Sequence, residues 1–281
     1  MRLPHNLASL NIFRTYSGAL KDQSAALNRI STGYKVMTAK DDPNIIAQSE
    51  RTKIQVRSLH MAARNSQDGV SMVQTAEGGL QGIGDMIKRV RELVIQSGSV
   101  NTDHDKKVIQ KEINQLVEGI DDIANNTEFN GVKLLNKNIK GKEPEIGKMP
   151  VGANVGEVVD IPFYKLDSKN LPGGSVSLND VNVTNGEVDK SLEIVDAAMN
   201  KVLGVRNKYG AISNRFEKSM NNIKEIADRM DGANGRLVDA DIAEEMMGYA
   251  RGSIMTEASM AIMKQTNDFP IEVLRILENV R

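Results

Sequence analysis

The sequence predicts a mainly α fold: an elongated antiparallel helical bundle or coiled-coil rod built from both chain ends, with a small β-hairpin-containing central insert. Three observations carry this. Residues 44–143 and 173–269 contain no proline, whereas Pro144, Pro150, Pro162 and Pro172 fall together between them. An interior proline costs a helix about 3 kcal/mol, so two helical arms flank an insert. In both arms apolar residues recur every three or four positions, the period of one helix face. The segment between them is β-branched, partly alternating and bounded by Gly, Pro and Asn, which is strand and turn chemistry.

Taken in order, Asp42 followed by Pro43 supplies an N-cap acceptor and then a proline at the first helical position, so a helix starts there. Its stripe is Val70, Val73, Ala76, Leu80, Ile83, Ile87, Val90 and Val94. Carried on to Gln96, this helix would be roughly 80 Å long. Glycines at 69, 78, 79, 82 and 84 predict a break or a close backbone contact near 78–84. Thr102 caps the next helix, with acids in its first turn and a stripe of Ile109, Ile113, Leu116, Ile120 and Ile123. In the second arm the same step runs from Leu192 through Val195, Val202, Tyr209, Phe216 and Ile223 to Met230, a coiled-coil-like length. Residues 151–161 and 175–184 predict short strands or hairpins, and Asn185-Gly186 a turn. A last helix is expected to begin near Val238, with Asp239, Asp241, Glu244 and Glu245 at its start.

The chain thus reads as three parts: terminal arms 1–40 and 236–281 as one discontinuous domain, a helical rod of 41–137 and 189–235, and a short β-rich outer insert, 138–188. Residues 1–40 hold six basic and one acidic side chain, and residues 236–281 five basic and eight acidic, so the two arms suit lying together. Their apolar faces are modest, and they are expected to order only against each other and against neighbouring molecules.

Composition removes several function classes. With 36 basic and 37 acidic residues the net charge is −1, which argues against nucleic acid as the main partner. Cysteine is absent, which excludes disulfides, thiolate metal sites and cysteine nucleophiles. No apolar run reaches the length of a membrane span or of a secretory signal, so neither membrane insertion nor a cleaved signal peptide is expected. His5, His60 and His104 lie far apart in sequence and form no zinc motif. The stretch 141–149 mimics a phosphate loop but has one residue too many between its glycines. Asp239, Asp241, Glu244 and Glu245 read as first-turn helix acids in preference to calcium ligands. The methionines between 246 and 263 read as pliable core filler in preference to an adaptable binding surface. The faces bearing Lys88-Arg89-Val90-Arg91-Glu92 and Asp121-Asp122 read as solvated. No catalytic residue, cofactor or metal is predicted.

Read in order, these pieces resemble a known family. Ile30-Ser31-Thr32-Gly33-Tyr34-Lys35-Val36 followed by Ala39-Lys40-Asp41-Asp42 is similar to a signature of the bacterial flagellins. So are Arg64-Asn65-Ser66-Gln67-Asp68-Gly69-Val70-Ser71, Gln74-Thr75-Ala76-Glu77-Gly78 and Glu128-Phe129-Asn130-Gly131-Val132-Lys133-Leu134-Leu135. Near the other end, Gly210-Ala211-Ile212-Ser213-Asn214-Arg215-Phe216 and Asp239-Ala240-Asp241-Ile242-Ala243-Glu244-Glu245-Met246 look like the family's C-terminal signatures. Pro4, Glu272 and Arg275 depart from the pattern, and the insert is too short for a large outer domain.

The resemblance implies a non-enzymatic structural subunit that is exported unfolded without a cleaved signal peptide and self-assembles outside the cell into the helical flagellar filament used for swimming. It implies that the arms pair into the inner tube, with Leu7, Leu10, Phe13, Leu20 and Leu27 packing on the N-terminal side. Phe269, Pro270, Val273, Leu274 and Leu277 would serve self-assembly and a secretion chaperone on the C-terminal side. Other implied partners are hook-junction and cap proteins. The vertebrate Toll-like flagellin receptor is a further one, read at Arg89, Leu93 and Glu112; a structural role for these three is equally compatible. The competing readings are a junction protein at the hook end, an enzyme-bearing flagellin and a cytoplasmic coiled-coil binding protein.

Overall fold

In a computed structural model of the chain the described residues are 6–99, 102–137, 145–172 and 176–279, the side chains of 274 and 277–279 excepted. Pro4, His5 and residues 141–144 of the 141–149 stretch lie outside them, as do the side chains of Leu274 and Leu277. The elements are α1 (Leu7–Thr32), α2 (Pro43–Ser97), α3 (Asp103–Asn126), β1 (Glu128–Phe129), β2 (Val132–Lys133), β3 (Glu145–Pro150), β4 (Val158–Phe163), a 3-10 turn (Leu178–Asp180), α4 (Val188–Val238) and α5 (Ile242–Asn279). The fold is mainly α with two small antiparallel hairpins in the middle of the chain. It divides into two compact units: residues 55–228, and residues 1–54 with 229–281.

In the first unit the α2 stripe from Val70 to Val94 is buried along its whole length. Facing it in one continuous core are Ile109, Ile113, Val117, Ile120 and Ala124 of α3, and Val195, Ala198, Val202, Val205, Tyr209 and Phe216 of α4. The insert shares that core through Val159, Ile161 and Phe163 of β4 and through Leu166, Leu171, Leu178, Val181 and Val183 beyond it. Leu116 and Ile123, expected in the α3 stripe, sit half-buried at its edge. Helix α2 does not break at 78–84. A Cβ on Gly79 would lie 2.6 Å from Thr127 Oγ1 and 2.9 Å from a Leu135 methyl, so glycine here permits close approach of the chain that follows α3.

Local chemistry sets the boundaries. The Asp42 carboxylate accepts from the amides of Asn44 and Ile45 at the start of α2. Thr102 and Asp105 form a reciprocal capping box on α3, and the Thr102 hydrogen bonds hold the Asp105 carboxyl below its usual range. Strands β3 and β4 pair from Glu145↔Phe163 to Pro150↔Val158. The β1–β2 hairpin turns at Asn130 (φ 49°) and Gly131 (φ 77°), the left-handed pair that a two-residue turn of this kind requires.

Within 175–184, where a short strand or hairpin is expected, the described residues 176–184 differ. Leu178–Asp180 form a 3-10 turn, and the extended stretch after it has a side chain for a partner. Gln110 donates through Nε2 to the Val181 carbonyl and accepts through Oε1 from the Val183 amide, completing the hydrogen bonds of a strand that has none beside it. Asp121, expected in solvent, accepts from the amide and hydroxyl of Ser168 and pins the same loop to α3.

In the second unit α1 and α5 pack antiparallel: Asn6 reaches Thr266 at one end, and Arg29 pairs with Glu245 at the other. Gly33 ends α1 in the left-handed region (φ 76°). The chain after it is tied to the α4–α5 connection by a Tyr34↔Asp239 bridge, with the Lys35 amide on Val238 O and the Ala240 amide on Gly33 O. Val238 therefore ends α4 and does not open the next helix, which starts at Ile242 with Asp241 accepting from the Ala243 amide. Proline placement bounded the helical arm at residue 269, yet α5 runs through Pro270 to Asn279.

Candidate functional site

Among the described residues no group of three or more His, Asp or Glu could hold a metal, and no helix is long and apolar enough to cross a membrane. Of the four acids weighed as calcium ligands, the Asp241 carboxylate caps α5 and the Glu245 carboxylate pairs with Arg29. The chain instead presents a large apolar surface on α1 and α5.

The contact between these two helices follows a heptad. On α1 the covered positions are Ser9, Ile12, Tyr16, Ala19, Gln23, Ala26 and Ile30, alternating steps of three and four. On α5 they are Glu245, Tyr249, Gly252, Thr256, Ser259, Met263 and Thr266, with the same alternation, and the half-buried Pro270 and Val273 continue its spacing. A 3.5-residue repeat is the signature of coiled-coil packing. The seam is built largely from small and polar side chains. On α1 only Ala19 and Ala26 are fully buried, and a Cβ on Gly252 would stand 3.0 Å from that of Gln23.

The large apolar residues lie beside the seam. On α1, Leu10 and Phe13, then Leu20 and Leu27 at seven-residue spacing from Phe13, form a second row and are 46–54% exposed. Leu7 is 69% exposed. On α5, Met255, Ile262, Phe269 and Ile276 recur at every seventh position and are 40–62% exposed. Met246, Met247, Ile254 and Met260 extend the apolar cover over the rest of its outer face. A two-stranded coil normally places charged residues on the flanks of a large apolar seam. Here the sizes are inverted, the arrangement expected of helices that gather into higher-order bundles.

The residues expected on these arms separate accordingly. All five N-terminal positions, Leu7, Leu10, Phe13, Leu20 and Leu27, are exposed, as is Phe269, while Pro270 and Val273 are half-buried. The methionines at 246, 247, 255 and 260 are on the surface and not in a core, because they fall off the covered positions of α5 that Met263 shares. Sequence reasoning missed them and Ile254, Ile262 and Ile276; the seven-residue spacing of Met255, Ile262, Phe269 and Ile276 is the signal that could have found the row.

Of the other predicted trio, the structure brings two together. Arg89 donates to Glu112 across from α2 to α3 at 2.9 and 3.2 Å and also pairs with Glu92, and these carboxylates hold its guanidinium protonated more firmly than usual. Leu93 is 1% exposed and packs in the core, so it offers no surface to a partner.

The family described as bacterial flagellin N-terminal helical region matches residues 4–140, and the bacterial flagellin C-terminal helical region matches residues 192–277. The chain is 35% identical to a flagellin of Bacillus subtilis, with 99% of this chain and 100% of the relative covered. It is 30% identical to the flagellar filament core protein flaB2 of Brachyspira hyodysenteriae at the same coverage. A solved structure from Vibrio parahaemolyticus, assigned as a flagellar hook-associated protein, shares the fold with a TM-score of 0.61 at 18% identity, over 71% of this chain and all of that one. With helical termini of this kind and full-length likeness to filament proteins, the chain belongs to the bacterial flagellin family.

Proposed function

We propose that the chain, a structural subunit of the bacterial flagellar filament, assembles with copies of itself through the exposed apolar rows of α1 and α5. The observation that carries this is the second heptad: Phe13, Leu20 and Leu27 on one helix, and Met255, Ile262, Phe269 and Ile276 on its partner, all at seven-residue spacing and all exposed. A 3.5-residue period fits another helix better than it fits a lipid surface or a globular pocket. Each large aliphatic side chain fully covered would contribute about 1.5–3 kcal/mol, so a few per neighbour offset the cost of ordering the arms. Charge fits as well: Arg14 and Lys21 follow Phe13 and Leu20, while Asp268 and Glu272 stand near Phe269, and among the described residues no ion pair uses any of the four. An α1 row meeting an α5 row is heterologous, and such contacts propagate into helical polymers where they do not close.

The same rows support the other partners. A secretion chaperone would cover the α5 row, with Leu274 and Leu277, before assembly, and hook-junction and cap proteins would meet these helices at the polymer ends. The Arg89–Glu112 pair, without Leu93, is the part of the receptor reading that remains on the surface. Export in an unfolded state is supported by the mostly helical fold, whose helices re-form through hydrogen bonds local in sequence although α1 and α5 pair across the chain.

The test is a Phe13→Ser/Leu20→Ser chain mixed with filament seeds and followed by sedimentation and electron microscopy. Monomer helicity should be unchanged by circular dichroism and elongation lost. Filaments of ordinary length from this variant would count against the proposal.

A further inference from the structure

We propose that Met246, Met247, Met255 and Met260 form an oxidation site through which a peroxide-class oxidant stops assembly. The inference rests on the self-assembly reading above and names a chemical regulator of that surface. These four side chains are 50%, 68%, 40% and 51% exposed on α5, Met255 in the seven-residue row and the other three on the exposed surface around it. The matching row on α1 is Leu and Phe, which two-electron oxidants leave alone. Chemical vulnerability is therefore confined to one of the two complementary faces.

The reaction balances without further components. The thioether sulfur attacks the terminal oxygen of hydrogen peroxide, the O–O bond breaks and an S–O bond forms. Sulfur loses two electrons, and the peroxide, reduced, leaves as water. The product sulfoxide is polar and chiral where the thioether was apolar and flexible. In the free subunit it is hydrated and costs nothing. Against a neighbouring helix it must shed that water with no donor among Leu and Phe to replace it, so the loss falls on association and not on folding. Subunits already in a polymer have these sulfurs covered. Oxidation thus acts on the soluble pool, and Met37 and Met61, exposed on the α1–α2 connection and on α2, serve as internal controls.

The experiment treats full-length monomer with hydrogen peroxide, maps sulfoxides by peptide mass spectrometry and measures elongation from seeds. It is repeated with M246L/M247L/M255L/M260L and with the Phe13→Ser/Leu20→Ser chain. Wild-type elongation should fall at least tenfold once the four sites are modified, and methionine sulfoxide reductases should restore it. The leucine variant should elongate equally before and after peroxide, and the four sites should be protected in intact filaments. Unchanged elongation of wild type carrying all four sulfoxides overturns the proposal, as does equal loss in the leucine variant. If that variant fails to assemble even untreated, reductase rescue of the wild type decides alone. Should the oxidised chain elongate while Phe13→Ser/Leu20→Ser does not, the oxidation site falls and the assembly surface stands; should both elongate, the assembly reading itself falls.

Discussion

The side-chain amide of Asn6 donates at 3.0 Å to the carbonyl of Thr266, the acceptor that Pro270, four residues on and lacking an N–H, leaves without its helical partner. The same Asn6 caps α1 by accepting from the Ser9 amide. One residue therefore begins one helix and lets the other continue past its proline. Asn6→Asp keeps the cap and loses the donor; Asn6→Ala loses both. Hydrogen exchange should quicken in the last turns of α5 in both variants and at the Ser9 amide in Asn6→Ala alone, where the lost cap costs about 1 kcal/mol.

Gln110→Ala removes the side chain that stands in for a strand beside Val181 and Val183. Both valines are at most 2% exposed, so a buried carbonyl and amide lose their partners. A destabilisation of about 1–3 kcal/mol is expected in denaturant titration, with faster exchange confined to residues near 181–183.

Tyr209 is buried, and its hydroxyl donates to the Pro162 carbonyl. Desolvation, with Tyr164 beside it, raises its pKa far above the ordinary 10. The unfolded chain releases this proton near pH 10 while the folded chain keeps it. Stability is thus full below pH 10 and declines above it by up to about 1.4 kcal/mol per pH unit from this group. Tyr209→Phe should be less stable at neutral pH and flatter above pH 10, read from chemical denaturation at several pH values.

Two glycines on α5 should respond with opposite signs. At Gly252 a Cβ would press on Gln23, so Gly252→Leu should wedge α1 from α5 at a cost of about 1–3 kcal/mol. At Gly248 nothing lies within 4 Å, and Gly248→Ala should raise helix stability by up to about 1 kcal/mol. Thermal melts of the two variants test the contrast.

Removing residues 262–281 deletes Ile262, Phe269 and Ile276 from the outer row while α2, α3 and α4 stay whole. Most helical ellipticity should persist and seeded growth should cease. Tubes formed by this truncation would argue against the α5 row as the contact.

Much of the fold could be read from the amino acids, because the stripes on α2 and α4 face one apolar core and periodicity reports such cores directly. Asp42 and Thr102 were legible as caps for the same reason that they function, a short side-chain acceptor ahead of free amides. Segment 175–184 was not, since nothing in its own residues says that Gln110, some seventy positions earlier, would supply its hydrogen bonds. Leu93 looked available from its motif, but only the packing of α2 shows it to be interior. The arms were half legible. Their pairing is consistent with their opposite charge, yet a seam that mixes alanine, serine, threonine and glycine with a few large side chains has a weak apolar signal, and the large residues beside it are easily taken for core.

The slender seam between α1 and α5 makes the chain ends a reporter. A free subunit holds them with two buried alanines, a few half-buried larger side chains and a handful of polar contacts, so their amides should exchange faster than those in the core of α2, α3 and α4. Once neighbours close over the outer rows, that exchange should slow by orders of magnitude, and the protected fraction at Ala19 or Ser259 would count incorporated molecules directly, without any attached dye.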